Sequence, residues 1–119
     1  MSCLFDSLSY FVKENSFQIR NIICDYLEAN NNIIEGLDTN FILSLDMPKD
    51  NYISNMRMSS SWGGGIEIQA ACNIWNLRIL IHNRRSITTT IIEFLPISKT
   101  YDRTIQLSWT GNHFEPLNL

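Results

Sequence analysis

The sequence predicts an α+β fold. Helical periodicity fills the first two-thirds, β-branched runs separated by turn residues fill the last third, and no repeat or linker divides them. The expected architecture is a set of N-terminal helices packed on a small, mostly antiparallel C-terminal sheet. At 119 residues, 45% hydrophobic and 18% charged, the chain has mass for one core, so residues 1–119 are expected to form a single domain.

The elements follow in order. Leu4, Phe5, Leu8, Phe11 and Val12 recur at helical spacing, which predicts a short helix over residues 3–13 with Cys3 in its first turn. Glu14-Asn15-Ser16 breaks it, with Ser16 as the expected N-cap of the next helix. There Ile19, Ile22, Ile23, Tyr26 and Leu27 follow the i, i+3, i+4, i+7, i+8 pattern until Asn30-Asn31-Asn32. Residues 33–46 fit no single period. Pro48 suits the first turn of a helix running to Met56. Ser59-Ser60-Ser61-Trp62-Gly63-Gly64-Gly65 reads as a loop, and residues 66–75, apolar on more than one face, read as a buried helix. Three β-branched runs follow, at 77–81, 88–94 and 104–109, and His113 to Leu117 completes the set as a short strand.

Composition excludes several roles. A net charge of −3 and a pI near 5.2 give no basic surface for a phosphate backbone, so nucleic acid is not expected as a partner. The longest apolar runs are far below membrane-spanning length, and residues 3–12 lack the basic leader of a signal peptide. Cys3, Cys24 and Cys72 are odd in number and unrelated in spacing, which points away from a disulfide scaffold and toward a reducing compartment. With two histidines and no ligand spacing, neither a metal nor another cofactor is expected.

The residues with chemical potential lie at the two ends. Cys3 opens an apolar helix, where peptide dipoles and free N–H groups favour a thiolate. Cys24 and Cys72 fall among apolar neighbours inside predicted helices and read as structural. His113 follows the turn pair Gly111-Asn112, and Glu115 lies two residues further. Side chains at i and i+2 of an extended segment share a face, so Glu115 can orient the His113 ring while its other nitrogen serves Cys3. His82, beside Asn83-Arg84-Arg85, reads as a solvated strand end. Trp62-Gly63-Gly64 would let a substrate backbone come close, with Trp62 as one wall of a channel, while Glu67 suits the start of the following helix electrostatically.

Three blocks in this order resemble the OTU (ovarian-tumour) cysteine proteases, which act on ubiquitin. Cys3-Leu4-Phe5 with Ser7-Leu8, and the Ile19-Arg20 to Tyr26-Leu27 helix after it, look like the nucleophile block. Trp62-Gly63-Gly64 with Glu67 and Ala70 looks like the central motif, and Gly111-Asn112-His113-Phe114 looks like the terminal histidine block.

The resemblance implies a papain-type cysteine protease fold of minimal, virus-like size and a deubiquitinase activity through a thioester. Cys3 would be the nucleophile, His113 the base and Glu115 the third member, where the family usually has Asp or Asn. Trp62, Gly63, Gly64, Trp109 and Asn112 would line the path of the substrate tail. Only Met1 and Ser2 precede Cys3, where the family carries an Asp-Gly-Asn-like turn, so oxyanion binding would fall to the N–H groups of Ser2 and Cys3. Implied partners are ubiquitin, polyubiquitin chains or ubiquitin-like proteins, with no membrane, in a cytosol (the host's for a viral or bacterial effector). A catalytically silent ubiquitin-binding module of the same fold is the alternative.

Overall fold

The computed structural model describes residues 3–85 and 87–118. Its order is α1 (Cys3–Ser9), α2 (Ser16–Glu28), β1 (Asn32–Ile34), β2 (Leu37–Asp38), α3 (Thr39–Ser44), α4 (Lys49–Met56), α5 (Gly65–Trp75), β3 (Leu77–Asn83), β4 (Thr90–Phe94), β5 (Arg103–Trp109) and β6 (Phe114–Leu117). The helices-first, strands-later reading holds apart from the short β1–β2 hairpin between α2 and α3.

The main sheet has the order β4-β3-β5-β6, with β3 and β5 parallel and the two outer pairings antiparallel. After the β3–β4 hairpin the chain crosses back over β3 before β5 begins. Asp102 N–H, bonded to Asn76 O at 2.9 Å, fixes that return. Pro116 sits in β6, an edge strand, where a missing N–H leaves no ladder bond unmade.

One face of the sheet is buried. Leu77, Ile79 and Ile81 of β3 and Ile105 and Leu107 of β5 alternate inward, and α5 packs on β3 and β4 while α1 packs on β6. From α2, Ile19, Ile23, Cys24 and Leu27 complete the same core. Burying each large aliphatic side chain there is worth about 1.5–3 kcal/mol. Leu4, Phe5 and Leu8 of α1 are nearly inaccessible, so α1 is anchored in the core.

Three local expectations are corrected. Helix α1 stops at Ser9 instead of residue 13: beyond it Tyr10 N–H and Phe11 N–H donate to the carbonyls three residues back, Ser7 O at 3.2 Å and Leu8 O at 3.0 Å, which tightens and ends the last turn. The N-cap of α2 is Asn15, not Ser16. Asn15 Oδ1 accepts from Gln18 N–H at 2.8 Å and Gln18 Oε1 accepts from Asn15 N–H at 3.0 Å, a reciprocal pair Ser16 does not make. His82 is half-buried, not a solvated end. Its Nε2 lies 2.6 Å from Gln106 Oε1 on the parallel neighbour strand.

Candidate active site

Cys3 begins α1 and is half-buried against the core. Ser2 lies outside the described residues. The other two thiols are fully buried on α2 and α5, and burial pushes Cys24 up to about 11 and Cys72 up to about 12. Neither is a nucleophile at neutral pH, in keeping with a structural role.

The glycine loop, residues 62–65, rests directly on α1. A Cβ on Gly63 would stand 2.6 Å from Leu4 Cδ2 and 3.0 Å from the Phe5 ring, so any side chain there would have to displace these buried groups. Gly64 N–H donates to Glu67 Oε1 at 2.7 Å, and Tyr52 Oη donates to Glu67 Oε2 at 2.6 Å. Glu67 is only 1% exposed, and burial raises its carboxyl above the ordinary range despite these two bonds and the nearby Arg20 charge. The electrostatic role expected of Glu67 is thus joined by a geometric one, that of tying the loop to the helix it starts.

At the other end of the chain, a tight turn joins β5 to β6. Thr110 N–H donates to His113 O at 3.1 Å, Thr110 Oγ1 and Asn112 Oδ1 are 3.1 Å apart, and Gly111 takes φ +108°. That turn presents His113 at the start of the edge strand. Glu115 Oε1 lies 3.3 Å from His113 Nε2, as the i, i+2 spacing predicts, and both side chains are largely exposed. Between them Phe114 points the other way, buried and stacked on Trp109 with ring centroids 6.1 Å apart. Arg85 covers the second face of this region, 5.2 Å from the Trp109 ring centroid.

Loop and turn meet across one apolar groove of about 360 Å³, lined by Trp62, Gly63, Gly64 and Gly65 on one side and Trp109, Gly111 and Phe114 on the other. Its floor is Ile68, Ile81, Ile92 and Phe94. Trp62, Gly63, Gly64 and Trp109 therefore come together as the sequence indicated. Among the described residues, Asn112, Cys3 and His113 stand outside that lining. The floor residues were missed, although inward alternation on two predicted strands marks Ile81, Ile92 and Phe94. Arg20 was missed as well: it lies buried at i, i+3, i+4 and i+7 with Ile23, Cys24 and Leu27, and a charge on an apolar stripe is the signal for it.

A thiol on an anchored first helix, a glycine loop laid over that helix and an imidazole–carboxylate pair on the last strand are the stock of a cysteine hydrolase. A family model described as OTU-like cysteine protease matches residues 2–114, and the chain belongs to that family. Ubiquitin thioesterase otu2 of Schizosaccharomyces pombe is 27% identical over 123 residues, covering 95% of this chain and 39% of that protein. The ovarian tumor domain-containing deubiquitinating enzyme 9 of Arabidopsis thaliana is 28% identical over 120 residues, covering 98% of this chain and 32% of the relative. The chain thus spans about a third of the length of these curated relatives. A solved OTU domain in complex with ubiquitin superposes with a TM-score of 0.77 at 23% identity, covering 97% of this chain and 62% of the other, which establishes the fold.

Proposed function

We propose that residues 1–119 form a single OTU domain that hydrolyses the peptide or isopeptide bond after the C-terminal glycine of ubiquitin. The observation that carries this reading is the contact of Gly63 with Leu4 and Phe5, which seats the wall of the apolar groove on the helix that Cys3 begins.

In this reading Cys3 is the nucleophile and His113 its base. Glu115 holds the Nε2 side of the ring at 3.3 Å, which leaves Nδ1 for the thiol. The Cys3 thiolate adds to the glycine carbonyl, and the oxyanion is met by the N–H groups of Cys3 and Ser2. His113 returns its proton to the departing lysine amine, and water, deprotonated in turn by His113, releases the carboxylate from the thioester. A Gly-Gly tail has no side chain to clash with a narrow passage, which suits a groove walled by Trp62, Gly63, Gly64 and Trp109, with Asn112 at the turn beside it. The same reading extends to polyubiquitin chains and ubiquitin-like proteins with that tail, and to action in the cytosol.

The test is turnover of a fluorogenic amide at the C-terminus of ubiquitin by wild type, Cys3→Ala and His113→Ala. Cleavage by wild type, none by Cys3→Ala and a rate lower by about 10² or more in His113→Ala is the expected result. Tight binding of ubiquitin by a folded wild type that cleaves nothing would instead identify a silent binding module.

A further inference from the structure

The apolar stripe of α2 carries one charge. Arg20 lies among buried Ile19, Ile23 and Cys24 and is itself only 3% exposed. A buried guanidinium must have its N–H groups bonded, because desolvating a cation without compensation is strongly unfavourable. Here the bonds go to backbone carbonyls. Nη1 donates to Met56 O at 2.7 Å, and Nη2 donates to Ser61 O at 3.0 Å and Ser59 O at 3.4 Å. Its flat face covers the Phe5 ring, with 4.3 Å between the guanidinium carbon and the ring centroid.

Those three carbonyls belong to the last residue of α4 and to the turn that delivers Trp62. The Phe5 ring is the surface on which Gly63 rests. Arg20 therefore holds both the segment that feeds the glycine loop and the ring beneath it. From the other side the loop is held through Gly64 by Glu67. Arg57, at the start of the same segment, is tied to α2 from its exposed side, donating to Asn21 Oδ1 at 3.0 Å and to Asp25 Oδ1 and Glu28 Oε2 at 2.7 Å, whereas the carbonyls of Ser59 and Ser61, next to the loop, are reached from the buried side of α2 by Arg20.

We infer that Arg20 sets the position of loop 62–65 over α1 and, through it, the width of the groove between Trp62 and Trp109. It acts through the loop, so it is a positioning residue and not a catalytic one. Its kinetic consequence rests on the deubiquitinase reading above, whereas its effect on the loop does not.

The experiment compares Arg20→Lys and Arg20→Met with wild type in the full chain, by amide hydrogen exchange and by steady-state cleavage of the ubiquitin amide. Arg20→Lys keeps the charge but loses the fork that reaches three carbonyls. Residues 58–65 should exchange about tenfold faster or more in that variant while α5 and β3 keep their protection. KM should rise about tenfold with kcat changed less than about threefold, and iodoacetamide should alkylate Cys3 at the wild-type rate. Loop exchange unchanged in both variants would overturn the inference. So would loss of protection throughout α2, α5 and β3, or an unfolded Arg20→Lys, since Arg20 would then support the whole core and not the loop. A wild type that leaves the ubiquitin amide intact refutes the function proposed above, and the exchange of residues 58–65 still decides the role of Arg20.

Discussion

His113 Nε2 and Glu115 Oε1 stand 3.3 Å apart on one edge strand, with Phe114 between them turned into the core. The pair is too exposed to stabilise the fold by more than a few tenths of a kcal/mol. In the proposed mechanism its value is orientation of the ring. His113→Ala should lower turnover by about 10²–10⁴, the usual contribution of a general acid–base group. Glu115→Ala should lower it by about tenfold or less, with both variants as stable as wild type in urea. Equal and complete loss in both would give Glu115 more than an orienting role, and loss in neither would remove His113 from the mechanism.

Gly63→Ala should destabilise the chain by about 1–3 kcal/mol, the range for overpacking, because its methyl meets Leu4 and the Phe5 ring inside a packed core. Chemical denaturation measures this. A midpoint equal to wild type would mean that the loop lifts away from α1 at little cost.

Glu67 gives a pH dependence of definite sign. Its carboxyl is raised in the folded chain, first of all by burial. The stability it contributes is therefore complete below its unfolded value, about 4.3, and is lost as pH rises through the folded value. Glu67→Gln keeps an acceptor for Gly64 and carries no charge. Its stability relative to wild type should grow from acid toward neutral pH, whereas Glu67→Ala, which strands the Gly64 N–H and the Tyr52 hydroxyl, should lose about 1–3 kcal/mol. A stability of Glu67→Gln, relative to wild type, that falls as pH rises would contradict the assignment.

Native alkylation should be selective. Cys24 and Cys72 are inaccessible and held at about 11 and about 12, while Cys3 is half-buried at a helix start. Iodoacetamide at pH 8 should label the peptide containing Cys3 and leave the other two until denaturant is added, as read by mass spectrometry. Labelling of Cys24 or Cys72 in the native state would show that the core opens.

Strong periodicity made α2, β3 and β5 legible, apolar residues on more than one face marked α5, and the resemblance to the OTU family, not the patterning, grouped Trp62, Gly63, Gly64 and Trp109. Residues 33–46 were not legible because three short elements, β1, β2 and α3, share them. Asn32 and Ile34 pair with Asp38 and Leu37 in a hairpin turned at Gly36 with φ +78°, and from Thr39 the chain is already helical. Strands of two and three residues carry too little alternation to read. Arg20 escaped for a different reason. Its role depends on three carbonyls nearly forty residues away, and a helix pattern records which face is buried but not what a charge on that face will meet.

The most direct measurement is reaction with a ubiquitin probe that bears an electrophile in place of its C-terminal glycine carboxylate. The account predicts one adduct on wild type, mapped to Cys3, and none on Cys3→Ala. A folded wild type that forms no adduct, or a Cys3→Ala variant that still forms one, would contradict it.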